Sequence, residues 1–196
     1  LKDIGILCKQ KIKDYTSQII VDLQKEGIRA RDEGEYQELL SEPIVNLILN
    51  FLKLSVNRKS PDEWINLETE YIAIMGETDE NQDDLYRDCI DKLDCKLKEI
   101  NKYLKLPLDI NKFNYMIDNI IDFFNIDRIK ARYITYKQGD YFNETITKFK
   151  DLFWKEYKYA ELNMIKAIEG FRGLYSIPIM TIHKSKGLEY SARSEE

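Results

Sequence analysis

Residues 181–190 read TIHKSKGLEY and bring together the only histidine of the 196-residue chain, two lysines, a glycine and a glutamate. Hydroxyl, imidazole and ammonium groups hold anions, a carboxylate accepts hydrogen bonds, and a glycine lets backbone approach a ligand closely. The candidates for such chemistry are Thr181, His183, Lys184, Gly187 and Glu189, with Ser185 and Lys186 beside them. They follow an apolar run, Ile177, Ile179, Met180 and Ile182, of the length of a strand buried on both faces in a parallel sheet. Ligands of such sheets gather at the carboxyl ends of the strands, where this segment falls. On the residues alone two readings stand: a ligand-contacting loop, or a polar turn with His183 as a surface imidazole.

A strand at residue 177 needs partners, and the front of the chain offers them. The run Ile4 to Cys8 has the character of a buried strand. Tyr15, Ile19, Ile20 and Leu23 then recur at helical spacing up to Gly27, and residues 28–30 suit a second short strand. From Leu39 to Leu52 the apolar residues keep a three-to-four rhythm, with Ser41 as the expected cap and Pro43 in a first turn. Residues 1–56 therefore read as a β-α-β-α piece.

The pattern changes at residue 57. Ser60, Pro61 and Glu63 form an expected capping box ahead of Trp64, Leu67, Tyr71, Ile72 and Met75. A second stripe runs through Leu85, Cys89, Leu93, Leu97, Ile100 and Leu104, ending before Pro107. Helices are expected again over residues 109–124 and, as one continuous element, over residues 140–169. Such stripes call for a bundle. The aromatics Tyr133, Tyr136, Tyr141, Phe142, Trp154, Tyr157 and Tyr159 stand among lysines, so stacking on nucleic-acid bases is one reading, and helical spacing makes core packing the favoured one.

The composition, 43% hydrophobic and 33% charged, is that of a structured, mainly helical chain. Residues 62–105 carry thirteen acidic and six basic side chains, a poor surface against a phosphate backbone. Three cysteines without a CxxC pair argue against a disulfide framework or a zinc site. No apolar run reaches the roughly 20 residues of a membrane helix and the N-terminus lacks a secretory pattern, so the expected location is cytoplasmic and no membrane partner is expected.

TIHKSKGLEY resembles motif V of superfamily 1 DNA helicases of the UvrD/Rep type, including AddA/RecB-like subunits, whose pattern is approximately TxHxxKGLEF. IGILCKQ with the following helix and EGIRA is similar to the motif IV region, and LLSEPIVNLILNFLKL to the helix after it. Between these segments the family carries a helical 2B-type insertion, the place that residues 57–173 occupy. The resemblance implies a mainly α fold, a helical insertion on an incomplete RecA-like α/β portion: residues 1–56 and 174–196 as parts of the 2A domain, and 57–173 as the insertion. Its sequence-specific part is confined to about 50 residues at the two ends.

For the site, the resemblance implies that Thr181, His183 and Lys184 contact single-stranded DNA and that Gly187 and Glu189 line the nucleotide cleft, Glu189 toward the ribose. Lys9, or Lys11 in the neighbouring alignment, stands where the family usually has an arginine acting on the γ-phosphate. A lysine keeps the charge and loses the planar fork. A duplex-contacting glycine element is not evident, Gly76 standing alone. The implied parent binds ATP and magnesium, closes against a first RecA-like domain of the same chain, moves along single-stranded DNA in repair or recombination, and has possible partner subunits.

The phosphate loop GxxxxGK[ST], the acidic magnesium motif and motif VI do not occur in these 196 residues. A fragment of a helicase is therefore the expectation, one that neither hydrolyses ATP nor binds it tightly by itself. The alternative is a helical protein-interaction module without ATPase function, and a third reading is a single-strand binder built on residues 140–169.

Overall fold

The computed structural model describes residues 4–8, 12–75 and 82–182. Three short strands, β1 (Ile6–Cys8), β2 (Ala30–Asp32) and β3 (Ile177–Thr181), form one parallel sheet in the order β1-β3-β2. The strand near the far end of the sequence is thus the central one. Ile6, Leu7 and Cys8 pair with Ile179, Met180 and Thr181, while Ala30, Arg31 and Asp32 pair with Ile177, Pro178 and Ile179. Successive parallel strands need a crossover, and helix α1 (Ile12–Lys25) supplies the one from β1 to β2, which lie on either side of β3. It packs Ile20 and Leu23 on a small cluster around Ala30, Ile177 and Ile179, whereas Ile19, expected inward, lies on the exposed side. Gly27, at φ +72°, turns the chain out of the helix.

Beyond β2 the described chain is almost wholly helical: α2 (Glu33–Leu40), α3 (Pro43–Val56), α4 (Pro61–Met75), α5 (Gln82–Leu104), α6 (Ile110–Phe124), α7 (Ile126–Arg132), a 3₁₀ turn (Ile134–Lys137), α8 (Tyr141–Tyr159) and α9 (Met164–Phe171). The central member is α3. Ile44, Val45, Leu47, Ile48, Leu49, Phe51, Leu52 and Leu54 are all buried, an apolar surface nearly all round the helix, so it must be enclosed. It is enclosed by α4, α5, α6 and α9. The larger core consequently takes in Tyr36, Leu39 and the apolar residues of α3, while the smaller cluster holds Ala30, Ile177 and Ile179.

The stripes of α5 and α6 pack as the spacing predicts. Cys89, Leu93, Leu97 and Ile100 are buried, as are Phe113, Met116, Ile117, Ile120, Ile121 and Phe124. Phe51, Tyr71, Phe123 and Phe124 then meet as a cluster of rings at centroid distances of 5.2–6.2 Å. Of the aromatics standing among lysines, Tyr136, Phe142 and Tyr157 are buried and Tyr133 and Trp154 are packed against the core. That leaves Tyr141 and Tyr159 on the outside.

Three expectations need correction. Pro43 does open a helix, but Ser41 is not its cap: a separate helix, α2, ends at Leu40 and meets α3 at 87°. The residue before a proline is pushed out of the helical region, and Glu42 sits at ψ 124° as the N-cap of α3 while Ser41 closes α2. Residues 140–169 are likewise two helices, separated where Glu161 and Leu162 adopt φ 53° and 62° and Asn163 caps α9 through the Lys166 N–H. Finally, the Glu63 carboxylate turns to Lys53 and Arg172 instead of closing a capping box. Among the described residues, no single helix is long and apolar enough to cross a membrane.

Acid should loosen this arrangement. Burial alone would raise the Glu63 carboxyl, yet the Lys53 ammonium and Arg172 outweigh it and hold the group below its usual range. Asp94 is lowered by Lys98, then Arg58, and Asp109 by the Lys112 backbone N–H. A depressed folded-state value stabilises above the unfolded value and is lost as pH falls through the folded one. Urea midpoints should therefore hold steady down to about pH 5 and decline below about pH 4. Glu63→Gln should flatten part of that decline; an unchanged profile would remove Glu63 as a contributor.

Candidate functional site at the sheet edge

The carboxyl ends of β1 and β3 lie side by side. Cys8 is in register with Thr181, and the Ile182 N–H donates to the Cys8 carbonyl at 3.1 Å. Both Thr181 and Cys8 are half-buried, and Ile182 beyond them is exposed. On the other side of β3, Asp32 ends β2 and caps α2, its carboxylate accepting from the Gly34 N–H at 2.9 Å. The segments following Cys8 and Thr181 therefore depart from one edge, the place where parallel sheets receive ligands.

Of the residues expected to act, Thr181 is placed at this edge, at the end of the central strand. Lys9, His183, Lys184, Gly187 and Glu189 lie outside the described residues, as do Lys11, Ser185, Lys186 and Gly76. The described edge itself presents Cys8, Thr181 and Asp32, a thiol, a hydroxyl and a carboxylate engaged in capping. None of the three is cationic, so these residues alone do not make a triphosphate site. Among the described residues there is also no group of three His, Cys, Asp or Glu side chains that could hold a metal ion.

Behind the edge stands a buried ionic cluster that sequence reading missed. Arg31, on β2 and 5% exposed, meets Glu33 with both arms of its fork, Nε to Oε2 at 2.7 Å and Nη2 to Oε1 at 2.8 Å. Its Nη1 donates to the carbonyls of Gly170 and Phe171 at 2.7 and 2.9 Å, closing the C-terminus of α9 with a positive charge. The guanidinium also lies 4.0 Å from the Tyr36 ring centroid. One side chain thus ties β2, α2 and α9.

A second arginine does the same for α8. Arg29 pairs with Glu156, which is fully buried, and lies 4.5 Å from the Tyr159 ring centroid. The Tyr36 hydroxyl donates to the same Glu156 oxygen at 2.7 Å. Burial, and then the Glu156 charge, push that hydroxyl well above the usual phenol range. Two glycines make room for the cluster. A Cβ at Gly170 would come within 2.7 Å of the Glu156 carboxylate, and one at Gly173, whose φ is +95°, within 2.9 Å of Arg31.

The signal for this cluster was in the sequence. Arg29, just before β2, and Arg31, on it, alternate with the apolar residues Ile28 and Ala30, and Glu156 stands three and seven positions after Phe153 and Phe149 on the inward face of α8. Charges at buried positions must pair. What the cluster achieves is positional: it fixes β2, and through the sheet β3 and its terminal Thr181, against the helical body. No family model, curated protein or solved structure matches this chain, so the reading of its function rests on its own residues.

Proposed function

We propose that the chain is part of an ATP-dependent DNA helicase of the UvrD/Rep type, comprising a portion of the second RecA-like domain with a helical 2B-type insertion. The observation that carries this reading is the pairing of Cys8 with Thr181. Cys8 belongs to the segment resembling motif IV and Thr181 opens the segment resembling motif V, and their adjacency in the sheet supports the reading.

In that reading Thr181, His183 and Lys184 contact the phosphates of single-stranded DNA, and Lys9, Gly187 and Glu189 face the nucleotide. A loop touching both ligands can bind DNA differently when the cleft against the first RecA-like domain is open or closed. Differential affinity of that kind converts closure into stepping. ATP and magnesium would be held chiefly by the first RecA-like domain, because the phosphate loop does not occur here.

The test is His183→Ala in the full-length protein. DNA-stimulated ATPase should fall about tenfold, the equivalent of one charged hydrogen bond of about 1.5 kcal/mol, with basal ATPase little changed. An equal loss of both activities would sink the DNA role. A full reading frame without a phosphate loop upstream would instead favour the protein-interaction module.

A further inference from the structure

A groove of about 500 Å³ runs between α3 and α4, well within the size of ligand clefts. Its walls are unusually rich in neutral hydrogen-bonding groups. Asn46 and Asn50 come from α3, and Asn66 and Thr69 from α4. Lys53 pairs with Glu63 near the connection between the two helices, so the groove runs from there along a helical hairpin.

The charged groups on its border are already matched. Arg172 donates to Asn50 Oδ1 at 3.1 Å and lies 3.5 Å from Glu63. Glu70, toward the other end, pairs with Arg132 at 3.2 Å and accepts from the Tyr133 hydroxyl. A phosphate or a carboxylate entering the groove would find no uncommitted counter-charge among these residues. The groove therefore selects an uncharged ligand that both donates and accepts.

The asparagines match one such ligand in spacing. Asn46 and Asn50 are one helical turn apart, about 6 Å along the axis. An extended peptide repeats every two residues, at about 6.6 Å. The amide nitrogen of Asn46 is occupied by the carbonyls of Leu40 and Glu42, which leaves its oxygen as an acceptor. Asn50 has its oxygen on Arg172, which leaves its nitrogen as a donor. One wall thus offers an acceptor and a donor at the repeat of a main chain. On the facing wall, the side chains of Asn66 and Thr69 make no hydrogen bond to any described residue and are exposed.

We infer that this groove binds an uncharged stretch of extended peptide, its backbone N–H and C=O groups held between the amides of α3 and the side chains of α4. This site is independent of the sheet edge and does not rest on the helicase reading. Its span from Pro43 to Asn50 is about 10 Å, room for three residues.

The experiment titrates the ¹⁵N-labelled chain with a blocked, uncharged hexapeptide of alternating serine and alanine, and in parallel with adenosine. The side-chain amide signals of Asn50 and Asn66 should shift with the hexapeptide, with a dissociation constant on the order of 1 mM. Asn66→Ala, at an exposed position, should weaken that binding severalfold while leaving helix content and melting unchanged. No shift up to roughly 10 mM peptide would overturn the inference. So would an unweakened Asn66→Ala variant, or shifts produced by adenosine and not by the peptide, which would assign the groove to a nucleobase.

Discussion

Arg31→Ala should lower the unfolding free energy by about 3–5 kcal/mol, the usual cost of removing one partner from a buried ion pair. The side chain has four hydrogen bonds, two to Glu33 and two to the carbonyls at the end of α9, and little exposure to water. Its loss strands a carboxylate and two carbonyls at once. In a chain of this length the melting temperature should drop by roughly 6–20 °C. Removing Glu33 as well should restore part of the loss but not all, because Gly170 and Phe171 would still lack a donor. Urea denaturation of the single and double variants gives both figures. A single-variant cost below about 1 kcal/mol would show that water replaces the guanidinium and that the cluster holds nothing in place.

Phe171→Ala should be comparably costly, about 3–5 kcal/mol. The ring is fully buried at the end of α9, with centroids 5.2 Å from Tyr36, 5.5 Å from Phe149 and 5.6 Å from Phe153. Tyr36 belongs to α2 and the two phenylalanines to α8, so one truncation opens a cavity where three helices meet. Phe171→Leu keeps most of the volume and should cost about 1–1.5 kcal/mol. Denaturation of the pair provides the check: equal costs for Leu and Ala would mean that the site collapses onto the smaller side chain and that ring packing is unimportant there.

The sequence made some of this legible and left the rest unsaid, for physical reasons. The stripe from Phe113 to Phe124 could be read directly, because one helical face is buried and the other is wet. The start of α3 was legible in Pro43, whereas the separate helix ending at Leu40 was not. The break at residues 160–163 carries a weaker mark, the cap residue Asn163. Neither glycine nor proline stands there, and Glu161 and Leu162 take positive φ values that local preference disfavours. Tertiary packing of α9 across α8 decides that turn, and tertiary packing is invisible along one chain.

The site divides in the same way. An apolar strand ahead of a charged segment marked Ile177 to Thr181 as the place to look, and Thr181 does end a strand at the sheet's carboxyl edge. The order of the strands had no local signature, since nothing in IPIMT says that both neighbours flank it. Arg29, Arg31 and Glu156 went unread as a unit because charge in a sequence usually means surface. Only their alternation with apolar neighbours marks them as interior. The amide groove is harder still, because Asn46, Asn50, Asn66 and Thr69 are ordinary helix-surface residues until α3 and α4 face each other.

The place of β3 between β1 and β2 has a bearing on how the protein is made. Neither β1 nor β2 has the other as a neighbour, so both wait for a segment that leaves the ribosome after every described helix has emerged. The helices can associate during translation, while the two earlier strands keep open edges until the last one threads between them. Closure of the sheet then comes after assembly of the described helices. A nascent chain stalled before residue 177 would carry assembled helices beside unpaired, aggregation-prone strands.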